Sequence, residues 1–77
     1  MNKIIYNALE RYFEGQLEKH RANVTIHADN PAGVAEHSDH IETIEKEIAA
    51  MAEYDDKLDI LRRYFGDRVK DKEVLHG

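Results

Sequence analysis

The sequence predicts an all-α fold in which two long amphipathic helices pack as an antiparallel hairpin. Apolar residues recur every three or four positions on both sides of one short interruption, Asp29-Asn30-Pro31-Ala32-Gly33. The residue before a proline is pushed out of the helical region, and a glycine permits the chain to reverse. We therefore expect a first helix over about residues 3–28, a turn over about 29–38 and a second helix over about 39–65.

The apolar stripe of the first helix follows a spacing of four residues, which places its members on one helical face. It comprises Ile5, Leu9, Phe13 and Leu17, continued by His20, Val24 and His27. Gly15 interrupts this helix at a cost of about 1 kcal/mol relative to alanine. Packing of the stripe, rather than intrinsic helix propensity, must therefore stabilise this helix.

The second helix has a clear start signal and a second apolar stripe. Ser38 or Asp39 is expected to cap it, and Asp39 followed by Glu42 has the spacing of a capping box. Gly66 is expected at the position just beyond the helix end, where a left-handed glycine is common. The stripe between these limits comprises Ile41, Ile44, Ile48, Met51, Tyr54, Leu58, Leu61 and Phe65.

A reversal centred near Gly33 pairs the two stripes level by level. It places Phe13 opposite Tyr54 and Leu9 opposite Leu58. It also places Leu17 opposite Met51 or Ala50, and Ile5 opposite Leu61 or Arg62. The position of the turn thus brings the apolar residues of the two stripes opposite each other along the whole length of the helices, which supports the hairpin.

A two-helix chain of 77 residues without cysteine cannot use disulfides and buries little surface, so self-association is its expected source of stability. The apolar residues Ile4, Tyr12 and Tyr64 have no obvious cover within one hairpin. These observations predict a homodimer that forms a four-helix bundle. Residues 67–77, rich in alternating charge, are expected to form a short third helix or a frayed tail.

The net charge of −5 arises almost entirely from the second helix and its surroundings. Residues 31–66 carry nine acidic and four basic side chains, whereas residues 1–30 and 67–77 are each balanced. An acidic helix repels phosphate, so we expect no nucleic-acid binding. No apolar run approaches the ~18 residues of a membrane span, and the N-terminal residues do not resemble a signal peptide, so we expect a cytoplasmic protein without membrane contact.

Histidines are concentrated around the predicted turn, and they suggest a metal site. His37 and His40 are three residues apart on one helical face, and His27 approaches them across the hairpin. Imidazole groups, with the nearby carboxylates, suit zinc or another transition metal. The alternative is that these are ordinary polar residues of a loop and a helix start, with no cofactor, because the spacing fits no stringent metal motif.

Carboxylates could instead hold magnesium, as they do in all-α nucleotide pyrophosphatases. That chemistry needs facing carboxylates from two helices. The first helix offers a row of Glu10, Glu14 and Glu18, but the second offers no matched row and lacks a Glu-Glu-Xaa-Xaa-Glu cluster. Ser38, the only serine, is assigned to the helix start. We therefore predict that the protein is not an enzyme.

Two Arg-Tyr-Phe triplets, at residues 11–13 and 63–65, provide a candidate partner-binding surface. In each triplet the phenylalanine belongs to the stripe, which leaves Tyr12 or Tyr64 beside an arginine. Tyrosine and arginine are favoured at interface hot spots. The two triplets either bind another protein or pack within the homodimer, and homodimer packing is the simpler interpretation.

The segment Asn30-Pro31-Ala32-Gly33-Val34-Ala35-Glu36-His37-Ser38-Asp39 resembles a turn found in small tailed-bacteriophage proteins, including those of cyanophages. The resemblance extends to the stretch Tyr54-Asp55-Asp56-Lys57-Leu58. It implies a phage origin, location in the host cytoplasm, and an accessory or virion structural role.

These observations lead to one hypothesis and two alternatives. We expect a non-enzymatic helical hairpin that self-associates and binds another protein, with Val34, Glu36 and His37 available to the partner. The alternatives are a metal-binding site or metal-dependent enzyme at the hairpin tip, and a structural component of the virion.

Overall fold

The structure is a computed structural model that describes residues 1–29 and 37–66, with the side chains of His37 and Ser38 outside that description. Helix α1 spans Lys3–Ala28 and helix α2 spans His37–Leu61, continuing into a π-helical turn at Arg62–Gly66. The described residues contain no strand, and the two helices pack against each other. The predicted all-α hairpin is confirmed, whereas the turn motif and residues 67–77 lie outside the described residues.

Local hydrogen bonds define the two ends of α1. The side chain of Asn2 accepts a hydrogen bond of 2.7 Å from the backbone N–H of Ile4, which satisfies one of the free donors at the helix start. At the other end, the backbone N–H of Asp29 donates to the carbonyl of Thr25. The helix therefore ends just before the Asn30-Pro31 pair, where the proline is expected to prevent its continuation.

The start of α2 differs from the sequence prediction. The helix begins at His37, so Ser38 and Asp39 lie inside its first turn and neither is the residue that precedes it. Asp39 still stabilises this end, because a carboxylate in the first turn interacts favourably with the helix dipole.

The hydrophobic core lies at the end of the hairpin where α1 begins and α2 ends. Tyr6 and Leu61 form its buried centre, and Met1, Leu9 and Phe13 pack against them. The prediction that Ile5 occupies this position is wrong, since Ile5 is exposed. A strict spacing of four drifts by about 40° per step around a helix of 3.6 residues per turn. The contact face therefore passes from Leu9 to Tyr6, three residues earlier, instead of to Ile5.

The contacts follow the predicted antiparallel register along the rest of the hairpin. The rings of Phe13 and Tyr54 have centroids 6.2 Å apart, as the pairing of these two levels predicted. Nearer the turn, His20 meets Glu47, and His27 meets His40. The residue numbers rise along α1 as they fall along α2, which establishes the antiparallel arrangement.

Gly66 is needed for close packing and not for backbone conformation. No described glycine has a positive φ, so the expected left-handed residue at the helix end is not present. Gly66 is instead buried, and a Cβ built on it would lie 3.0 Å from the hydroxyl oxygen of Tyr6. The absence of a side chain at this position allows the Tyr6 ring to reach the core.

Substitution of this glycine tests the packing of the core. We expect Gly66→Ala to destabilise the hairpin by about 1–2 kcal/mol, because the added methyl group forces the Tyr6 ring to move. Gly15→Ala is the matched control, since nothing lies within 4 Å of its added Cβ. That change should stabilise the protein by about 0.5–1 kcal/mol through helix propensity. Urea unfolding followed by circular dichroism measures the free energy of unfolding of both variants. The same change in stability for Gly66→Ala and Gly15→Ala would contradict this description of the core.

Candidate interaction surface

Polar side chains occupy the helix interface in the half of the hairpin nearest the turn. They recur at steps of three and four, so they face the opposite helix although they are not apolar. Each of them is partly buried. We call this set the polar seam: His20, Asn23 and His27 of α1, with His40, Thr43 and Glu47 of α2.

The carboxylate of Glu47 is the best-connected group of the polar seam. Its Oε1 atom lies 2.9 Å from Nδ1 of His20 and accepts a hydrogen bond of 2.9 Å from the side-chain amide of Asn23. The side chains of His20 and Glu47 are only 17% and 16% exposed. The hydrogen bonds from His20 and then from Asn23 lower the pKa of Glu47 below its ordinary value. The carboxylate is therefore held in its charged form between the helices.

Aromatic rings separate the polar seam from the hydrophobic core. The imidazole of His20 stacks on the ring of Tyr54, with centroids 6.0 Å apart and planes 14° from parallel. Tyr54 in turn contacts Tyr12 edge-on and Phe13 at a tilt. The ammonium group of Lys57 lies 4.8 Å from the centre of the Tyr54 ring. Tyr54 is thus the level at which the interface changes from apolar to polar.

Apolar side chains in the turn-proximal half line an open groove on one side of the hairpin. We define the groove by Leu17 and Val24 of α1 and by Ile48, Met51 and Ala52 of α2. It encloses about 630 Å³ and is bordered by the charged side chains of Glu18, Arg21 and Asp55.

The predicted role of Ile41 and Ile48 in the hairpin core is wrong. These side chains are 65% and 52% exposed, because the polar seam occupies the positions between the helices. Ile41 lies two helical turns before Ile48, so the two share one face of α2. Ile44 and Met51 of the same predicted stripe are partly buried, so only part of the stripe contributes to the contact between the helices.

The acidic row of α1 forms ion pairs and does not face a second row of carboxylates. Arg62 donates to Glu10 at 3.0 Å and to Glu14 at 2.8 Å, and Arg21 pairs with Glu18 at 3.1 Å. The hydrogen bond to Glu10 is the main cause of a raised pKa for Arg62. These groups are largely solvent-exposed, so each pair contributes no more than about 1 kcal/mol. Within the described residues, this row provides no site for magnesium.

The predicted partner-binding residues lie in different parts of the molecule. Tyr12 and Tyr64 are exposed, and the guanidinium of Arg63 lies 5.3 Å from the centre of the Tyr64 ring. Tyr12 contacts Tyr54, Tyr64 lies in the π-helical turn, and neither residue lines the groove. Val34 and Glu36 lie outside the described residues. The backbone of His37 is in the first turn of α2, and its side chain is outside the description.

The structure brings together two of the three predicted metal-ligating residues. The rings of His27 and His40 approach edge to face across the hairpin, with centroids 5.8 Å apart. The third residue, His37, cannot be placed because its side chain is not described. No group of three or more histidine, cysteine, aspartate or glutamate side chains suited to one metal ion occurs among the residues that the structure describes.

Comparisons with protein families, curated proteins and solved structures find no match for this chain. In the described part of the chain, neither helix is both long and apolar enough to cross a membrane.

The lowered pKa of Glu47 predicts a pH dependence of stability. A carboxyl group whose pKa is lower in the folded state stabilises that state above its unfolded pKa, near 4.5. This contribution is lost as the pH falls through the lowered folded value. We expect Glu47→Gln to be less stable than the natural protein at about pH 7, and the difference to shrink towards about pH 3.

Urea unfolding at a series of pH values measures this difference. Glu45→Gln is the matched control, because Glu45 is an exposed glutamate of the same helix. Its effect on stability should vary little with pH. The prediction is contradicted if Glu47→Gln lowers the free energy of unfolding by the same amount at neutral and at acidic pH. The charge of the Glu47 carboxylate would then make no contribution to stability.

Proposed function

We propose that the protein is a non-enzymatic self-association module, in which two copies dock through the groove to form a four-helix bundle. The observation that carries this proposal is the open apolar groove in the turn-proximal half. Polar side chains share the contact between the helices there, Ile48 is exposed, and Leu17, Val24 and Met51 are only partly buried along the groove. A second hairpin over the groove would bury that surface against matching apolar residues.

The small core of the single hairpin supports the proposal. Among the described residues only three hydrophobic side chains are buried, and no side chain is fully buried. Nine large hydrophobic residues remain exposed, several of them isoleucines. Two helices at this chain length bury too little apolar surface to offset the entropy of folding, so a covering partner would supply the missing stabilisation.

The pattern of α2 favours a second copy as that partner. Ile41, Ile44, Ile48 and Met51 follow steps of three, four and three, which is the spacing of a coiled-coil seam. The groove border carries both signs of charge, Arg21 against Glu18 and Asp55. In a two-fold dimer the same border meets itself, so mixed charges allow opposite signs to face each other.

The biological setting of this module is proposed from the sequence resemblance alone. A phage origin would make the hairpin an accessory or virion protein, in which Tyr12 and Tyr64 remain exposed to bind a further protein. Mass spectrometry of purified particles from the source phage distinguishes these roles. Stoichiometric amounts of the chain would support a virion component, and its restriction to the infected cell would support an accessory protein.

Substitution of Ala52, one of the residues that line the groove, tests the self-association directly. We expect the natural protein to sediment at twice its 9.0 kDa chain mass at micromolar concentration. Ala52→Glu should raise the dissociation constant by at least about 100-fold, because it places a carboxylate in the buried interface. Ala52 is exposed in the single hairpin, so this change removes no contact within one chain.

Ala49→Glu is the matched control, because Ala49 is an exposed alanine of the same helix that does not line the groove. It should leave the dimer intact. Circular dichroism confirms that both variants are helical. A natural protein that sediments as a stable monomer would overturn the proposal, and deletion of residues 67–77 would then test whether the C-terminal segment covers the groove.

A further inference from the structure

We propose that His27 and His40 form a two-histidine site for a divalent transition-metal ion, which links α1 to α2 at the turn end of the hairpin. The site is separate from the groove and does not depend on self-association. It uses one imidazole from each helix, and water or another small ligand completes the coordination of the ion.

The distance between the rings fits a shared metal ion. Imidazole nitrogens bind zinc at about 2.0–2.1 Å, so two imidazoles on one tetrahedral ion have ring centres about 5 Å apart. The centroids of His27 and His40 are 5.8 Å apart, with an angle of 72° between the ring planes. Binding requires rotation of the two side chains from this edge-to-face arrangement, so that a nitrogen of each ring is directed at the ion.

The hydrogen bonding of the histidines distinguishes this pair from His20. The imidazole of His20 is held by the carboxylate of Glu47. Among the described residues, no hydrogen bond to the imidazole of His27 or of His40 is found, although both residues are partly buried. A neutral imidazole has one nitrogen lone pair that can bind a metal ion, and these two rings face each other across the helix interface.

The chemistry of the pair selects the class of ion. Neutral imidazole favours zinc, copper and nickel, whereas magnesium and calcium require oxygen ligands. A site with two protein ligands should bind more weakly than a closed structural zinc site and exchange its metal readily. The proposed ion joins residues of both helices, which are brought together on folding, so it should stabilise the hairpin by an amount that rises with the logarithm of its concentration.

Thermal unfolding of the untagged full-length protein, at fixed chain concentration, tests the site. Excess zinc chloride should raise Tm by about 5 °C at about pH 7.5, and magnesium chloride should have no such effect. The increase should disappear in His27→Ala and in His40→Ala. His76→Ala is the control that removes a histidine elsewhere in the chain.

A second measurement covers the case in which the alanine variants fail to fold. Titration of the natural protein with zinc, followed by NMR of the histidine ring signals, should shift His27 and His40 together while His20 stays unchanged. The proposal is overturned if zinc has no effect on Tm, or if the effect is undiminished in His27→Ala. It is equally overturned if other histidine signals shift and those of His27 and His40 do not.

Discussion

A single carboxylate between two helices constrains the turn-proximal half of this molecule. Glu47 is largely shielded from water, and its charge is compensated only because His20 and Asn23 of the other helix reach it. A shift of the helices by one turn would leave the carboxylate without these partners, at the large cost of a desolvated and unpaired charge. We infer that these hydrogen bonds help to specify the register of the hairpin.

The position of this carboxylate also determines where the apolar residues can lie. Side chains that face a neighbouring helix recur at steps of three and four. The polar seam occupies such positions, and the partly buried Leu17 and Val24 of α1 lie beside it and line the groove with Ile48 of α2. The half of the hairpin away from the turn differs, with Tyr6 and Leu61 in the contact and Arg62 bridging Glu10 and Glu14 beside it. Among the described residues, the buried apolar side chains thus lie away from the turn, and the polar seam occupies the contact nearer the turn.

The sequence predicts the helices and their pairing well, because both depend on periodicity and on one strong reversal signal. Phe13 does face Tyr54, and His27 does meet His40. The prediction failed where hydrophobicity alone was used to choose the contact face. Asn23 and Glu47 follow the interface spacing as closely as any isoleucine, and that spacing was the available signal. The close approach of Gly66 to the Tyr6 hydroxyl depends on three-dimensional packing, which residue spacing does not reveal.

We propose that folding of the hairpin is coupled to covering of its groove by a second copy. The dependence of Tm on chain concentration tests this claim most directly, because mass action makes the stability of a coupled dimer rise with concentration. Circular dichroism melting curves from about 1 to 100 μM should show Tm increasing steadily with the logarithm of concentration. A cooperative transition whose Tm is constant over this range would contradict the claim, since it would mean that the single hairpin is stable with its groove open.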